Sequence, residues 1–136
     1  MLVIKPIEDK NYQKELVTLC GGTYKEFALA YAAHDCDDNG ETLRFPIGVC
    51  QFSLSVKDGV IDTLKPAPGV DDEEAMMIMT RACTAFLFRC GFVRAVVTAG
   101  GADPALLQKL GFTMAEDGTA TLDVLKYYTS PCHGEQ

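Results

Sequence analysis

The alternation and recurrence of apolar positions divide the chain into short strands and helices. "LVIKPI" (2–7) reads as a strand. "EDKNYQKELVTLC" (8–20) reads as a helix with acids in its first turn and Gly21-Gly22 beyond its end. "YKEFALAYAAHD" (24–35) carries two patterns. Its alanines suit a helix, whereas Phe27, Leu29, Tyr31 and Ala33 alternate, and the alternation decides for a strand. "CDDNGET" is a turn, "RFPIGVCQFSLSV" (44–56) a strand, "KDG" a hairpin turn and "VIDTLKP" (60–66) the next strand. Residues 71–90 form the longest helix, with Ala75, Ile78, Met79, Ala82, Cys83 and Phe86 on one face and Thr80, Arg81 and Thr84 elsewhere. "FVRAVVTA" (92–99) is a strand. "DPALLQKL" (103–110) is a short helix, with Asp103 as N-cap, Pro104 at its first position and Gly111 ending it. "FTMAED" and "TATLDVLKYY" make a hairpin around Asp117-Gly118. The order β-α-β-β-β-α-β-α-β-β describes an α/β domain with a mixed sheet.

Length and composition keep this to one globular domain over 1–136: 136 residues, 48% of them apolar and 23% charged. The tail 129–136, including "TSPCHGEQ", is expected to be flexible. A net charge of −7 argues against nucleic acid or an anionic membrane as partner, since both want a basic patch, and suits a cationic amine. No apolar run approaches the ~20 residues of a membrane span. "MLVIKPIEDK" has no secretory pattern, so a cytoplasmic location is expected. The six cysteines form no C-x-x-C pair and lie mostly in apolar segments, which predicts buried free thiols rather than disulfides or zinc.

Few residues suggest chemistry by themselves. Asp35, Asp37 and Asn39 of "DCDDNG" stand at the spacing of a calcium loop, with Gly40 at its sharp turn. The bidentate carboxylate due at the loop's end is replaced by Pro46, so a solvated turn is expected and no metal. His34 adjoins that turn and His133 lies in the tail, and neither completes a Ser-His-Asp or Cys-His arrangement. Met76, Met77 and Met79 read as core filler. "PGVDDEEAMM" (68–77) is more pointed. A helix N-terminus presents free N–H groups and a partial positive charge that favour an anion. Here the chain supplies Asp71, Asp72, Glu73 and Glu74 itself. Either the terminus still receives a phosphate, or these carboxylates cap it.

"IGVCQFSL" (47–54) with Gly48, "VIDTLKPAPGV" leading into the long helix, and "DPALLQKLGF" (103–112) occur in an order that resembles the GNAT superfamily of acyl-CoA-dependent N-acyltransferases. The resemblance implies a mixed, mainly antiparallel sheet flanked by helices, splayed between the fourth and fifth strands. It implies acetyl-CoA or another acyl-CoA as donor and a small-molecule amine as acceptor, with no metal. A homodimer is compatible with it. The family's pyrophosphate motif, Gln/Arg-x-x-Gly-x-Gly/Ala, falls on residues 70–75. Val70 then replaces the Gln/Arg, Glu73 replaces the first Gly, Glu74 lies between, and Ala75 fits. An inward-facing Glu73 would oppose the ligand: unit charges ~4 Å apart repel by roughly 4 kcal/mol at an effective dielectric of ~20, against about 0.3–1 kcal/mol from the dipole. Weak acetyl-CoA binding is therefore expected. A Tyr general acid often stands four residues before the Gly-Phe, and Leu107 holds that position. Asp62 is the candidate general base on the fourth strand. Tyr127 or Tyr128 could supply a proton on grounds of residue type. Two readings follow: an N-acyltransferase, or a catalytically degenerate GNAT-like protein that binds a small molecule or a protein.

Overall fold

The computed structural model describes residues 1–129. The element order is β1 (Leu2–Pro6), α1 (Lys10–Leu19), β2 (Leu29–Cys36), β3 (Leu43–Leu54), β4 (Asp58–Pro66), α2 (Glu73–Arg89), β5 (Arg94–Val97), α3 (Pro104–Lys109), β6 (Thr113–Met114), β7 (Ala120–Asp123) and α4 (Val124–Thr129). All seven strands share one sheet in the order β1-β2-β3-β4-β5-β7-β6. Only β4 and β5 pair in parallel, and the other neighbours are antiparallel. This is the expected mixed, mainly antiparallel sheet, with one further helix.

Both faces of the central strands are covered, so β3 is buried almost without a break from Ile47 to Phe52. On one face α1 lays Leu16, Val17 and Cys20 against Ala30, Ala32 and Val49. On the other, α2 lays Ala75, Met76, Met79, Cys83 and Leu87 against Cys50, Phe52, Ile61 and Leu64. Asp9 caps α1, its carboxylate accepting from the N–H of Asn11 at 2.8 Å. Asp103 caps α3 as expected, accepting from Ala105 N–H at 3.2 Å. Gly91 and Gly111 end α2 and α3 at φ of 85° and 92°, where a side chain would be strained.

Three sequence expectations need correction. The strand expected over 24–35 starts only at Leu29; residues 24–28 form a loop held by side-chain hydrogen bonds. The buried face of α2 includes Thr80 and Thr84, while Ile78 is exposed. Thr80 Oγ1 donates to the Met76 carbonyl at 2.8 Å, which satisfies its hydroxyl within the helix and lets it face the core. Finally, "TATLDVLKYY" splits at Asp123. The Asp123 carboxylate accepts from Lys126 N–H at 2.9 Å and starts α4, so Tyr127 and Tyr128 are helical rather than on the last strand. The tail after residue 129, with Cys132 and His133, lies outside the described residues. Cys20, Cys36, Cys50, Cys83 and Cys90 are free thiols, all but Cys90 buried. Among the described residues no helix is long and apolar enough to cross a membrane.

Candidate active site

β4 and β5 pair only from Asp58–Arg94 to Ile61–Val97, although β4 continues to Pro66. The cause lies on the other side of β4. Gln51 faces Thr63 and Phe52 faces Ile61, so Asp62 is an extra residue, a β-bulge that bends β4 away from β5. A backbone hydrogen bond from Leu64 N–H to the Gly101 carbonyl, 2.7 Å, crosses the parted region. Beyond it opens a cavity of about 310 Å³ between the end of β4, the start of α2 and the loop into α3, with Leu64, Val70, Asp72, Glu73, Gly100 and Asp103 in its wall.

The bulge also aims the Asp62 side chain. Its Oδ1 accepts from Gln51 Nε2 and Thr63 Oγ1, both at 2.8 Å. Its Oδ2 is buried and takes no hydrogen bond. The nearest cation is Lys25 Nζ, 3.8 Å away, on a half-exposed side chain. Gln51 joins several elements at this point. Its Oε1 accepts from Gln13 Nε2 at 3.0 Å and from Lys25 N–H at 3.3 Å, and its Nε2 also donates to the Thr23 carbonyl at 2.9 Å. Gln13, Gln51 and Thr63 are almost fully buried. Buried amides of this kind persist where each polar group finds a partner, which makes this network a rigid mount for the Asp62 carboxylate.

At the start of α2 the acids have separate tasks. Asp72 is the N-cap, its Oδ1 accepting from Ala75 N–H at 3.0 Å. Val70 N–H donates to the Ala67 carbonyl. Glu73 Oε1 accepts from Lys109 Nζ at 2.7 Å, and both side chains are about half exposed. Glu74 is exposed and Ala75 is buried against the core. Among the described residues the N–H groups of Asp71, Glu73 and Glu74 take no protein acceptor.

No family model matches the chain, and no curated protein sequence does. Solved structures do. The IAA acetyltransferase from Bacillus cereus ATCC 14579 is 19% identical, with a TM-score of 0.69 over 90% of this chain and 99% of that one. The ribosomal-protein-S18-alanine N-acetyltransferase from Escherichia coli is 13% identical, with a TM-score of 0.66 over 91% and 94%. The GNAT family N-acetyltransferase YhbS from Escherichia coli, solved in complex with CoA, is 14% identical, with a TM-score of 0.65 over 100% and 92%. The chain has the GNAT fold.

Within this GNAT fold the sequence-derived candidates separate. Val70 and Glu73 line the cleft and Ala75 lies buried in the first turn of the helix behind it. Asp62 sits at the point where the strands part, on the α1 face with Gln51. Tyr127 lies against Thr84, Phe112 and Leu122 instead, and shares neither cavity nor hydrogen bond with Asp62. Tyr128 pairs with Thr84, hydroxyl to hydroxyl, at 2.7 Å. Leu107 is buried in the core. Sequence reasoning missed Lys25, Lys109 and the pair Gln13 and Gln51. The available signal was a glutamine inside the apolar run "VCQFSL". The Asp-rich turn has its own account. Asp37 accepts from the N–H groups of Glu41 and Thr42, which hold its carboxyl below the usual range, while Asp35 pairs with the N-terminal ammonium and Arg44.

A cavity of about 580 Å³ lies away from the cleft, under β1 and β2. Its wall includes Tyr12 and the buried His34, whose Nε2 meets the Tyr12 hydroxyl at 2.7 Å.

Proposed function

We propose that this protein is an acyl-CoA-dependent N-acyltransferase that moves an acyl group, acetyl in the simplest case, onto a small primary amine, with Asp62 as general base. The observation that carries the reading is the Asp62 carboxylate: held by two hydrogen bonds on one oxygen, accepting none on the other, at the bulge where β4 leaves β5. A base must keep its lone pair available to the proton it takes, and Oδ2, which accepts no hydrogen bond, keeps its own. The net charge of −7 favours a cationic amine. The likeness in fold to acetyltransferases, one of them in complex with CoA, supports the donor.

The cleft fits part of such a donor: the unpaired N–H groups at the start of α2 are suited to phosphate oxygens, and about 310 Å³ suits a thin pantetheine arm. An acyl-CoA supplies an activated thioester. The chain's own tasks are then to line up the amine, to take its proton on Asp62, and to hold the loop 21–28 through Gln51. No strong acid is required for the leaving group, because a thiol ionises near pH ~8.5.

A second reading, a GNAT-fold binding protein without catalysis, is favoured by the same helix terminus. Asp72 already occupies one N–H, and Glu73 adds a carboxylate at the cleft wall. Calorimetric titration with acetyl-CoA, followed by an acyl-transfer assay on small primary amines, separates the two. The enzyme reading expects binding and turnover, with kcat/KM lowered about 10²–10⁴-fold in Asp62→Asn. Binding without turnover selects the second reading, and an unimpaired Asp62→Asn removes Asp62 as the base.

A further inference from the structure

The cation paired with the second oxygen of Asp62 is itself a primary amine. We propose that Lys25 is a self-acylation site: its amine is the acceptor that the folded chain presents to its own base. This rests on the acyltransferase reading above.

The geometry gives three grounds. Lys25 Nζ lies 3.8 Å from Asp62 Oδ2, and Oδ2 has no hydrogen-bond donor of its own. The backbone beneath Lys25 is fixed on both sides. Its N–H donates to Gln51 Oε1, its carbonyl accepts from Ala28 N–H at 3.1 Å, and Gln51 also ties down Thr23. Gln51 is the same side chain that orients Asp62, so one residue sets acceptor and base relative to each other. Finally, Asp62 is the bulged residue at the last β4–β5 pair, where the strands part next to the cleft. An acyl group delivered to this end of β4 would meet a carboxylate and an amine already side by side. A tethered nucleophile in such a position can reach an effective concentration orders of magnitude above any free amine.

Asp62 takes one proton from the Lys25 ammonium and passes it to water. The freed lone pair on Nζ attacks the thioester carbonyl carbon, the C–N bond forms and the C–S bond breaks. The second proton leaves nitrogen with the departing sulfur, giving free coenzyme A thiol and an N-acyl-lysine amide. The product is neutral, so the ion pair with Asp62 is lost.

The test incubates the whole chain with acetyl-CoA bearing an isotope-labelled acetyl group, then maps the label by peptide mass spectrometry. Acetyl-CoA binding is measured by calorimetry on the same preparation, and transfer to benzylamine is assayed beside it. The expected result is label concentrated on Lys25, at a rate per molecule unchanged by roughly tenfold dilution of protein. Lys25→Arg should lose it, and Asp62→Asn should slow it by about 10²-fold or more while still binding acetyl-CoA. Binding and benzylamine transfer with Lys25 unlabelled would overturn the inference and leave the acyltransferase reading standing. Label spread evenly over the exposed lysines, or labelling of Lys25 that proceeds equally in Asp62→Asn, would also overturn it. An absence of acetyl-CoA binding would remove both.

Discussion

Lys109, at the end of α3, donates to Glu73, in the first turn of α2, across 2.7 Å beside the cleft. Glu73 is thus drawn toward a neighbouring helix rather than left to face the cavity alone, and the hydrogen bond raises the Lys109 ammonium above its ordinary value. The arrangement predicts that Glu73→Gln strengthens acetyl-CoA binding, because one anion disappears and Lys109 is released toward an incoming phosphate. Both groups are exposed, so the gain should be several-fold rather than many decades and should shrink as salt is raised. Lys109→Gln should move affinity the other way. Calorimetry at two ionic strengths checks this, and equal affinities in parent and Glu73→Gln would mean that the carboxylate does not act on the ligand.

Gly48 predicts a stability effect. On the α2 face of β3, a Cβ at this position would stand 2.6 Å from Met76 Sδ and 2.9 Å from the Lys65 carbonyl oxygen. The methionine can turn aside, but the β4 backbone cannot move without disturbing the strand that carries Asp62. Gly48→Ala should destabilise by about 1–3 kcal/mol, a fall in Tm of roughly 3–11 °C for a chain of this size. A thermal melt within about a degree of the parent would show that the strands have slack here.

What was legible in the sequence followed from local chemistry. Asp103-Pro104 start α3, the run from Ala75 marks α2, and the turns at Asp37–Gly40 and Asp117-Gly118 separate strands because each signal acts over a few residues. The misreadings lie where a distant partner decides. The alternation of Phe27, Leu29, Tyr31 and Ala33 carries the expected strand back to Tyr24, yet Gln51, far along the chain, supplies hydrogen bonds that hold 24–28 as a loop. Thr80 and Thr84 read as outward because they are polar, and their hydroxyls are instead satisfied by the helix backbone and by Tyr128. At the site, Asp62 could be named from its strand, but its bulge could not, since a bulge is a mismatch between two strands and neither sequence contains it alone. Lys25 was illegible for the same reason.

Gln51 predicts a coupled loss. In Gln51→Met the volume is nearly kept, but the Gln13 amide keeps only the Ala28 carbonyl as acceptor, Asp62 Oδ1 keeps only Thr63, and the loop carbonyl of Thr23 loses its donor. Unsatisfied buried groups of this kind cost about 1–3 kcal/mol apiece, partly relieved by water, so a net loss of roughly 2–4 kcal/mol is expected. The loop 21–28 should loosen before the rest, because its tether is cut while the core clusters are untouched. Limited trypsin digestion of the variant should therefore cut first at Lys25, and cleavage beginning elsewhere would argue that the loop is held by other contacts.

His34 predicts the acid side of the stability profile. Burial holds its imidazole below the ordinary value of 6.5, and nearby Lys5 pushes in the same direction. The cavity around it also carries Glu8, Asp9 and Glu41, and its Nε2 is bonded to Tyr12. The folded chain therefore keeps this ring neutral at a pH where the unfolded chain takes up a proton. Where the unfolded form binds more protons, stability rises with pH. The contribution is complete above about pH 6.5 and declines as pH falls from there through the lower folded value. His34→Gln retains a hydrogen-bonding partner for Tyr12 but cannot titrate. It should be less stable than the parent at neutral pH, through imperfect packing, and the gap should close as pH is lowered. Thermal melts of both proteins from about pH 7.5 down to about pH 5 test the sign. Curves that stay parallel over that range would show that His34 titrates alike in the folded and unfolded chains, and that its burial on β2 carries no pH dependence.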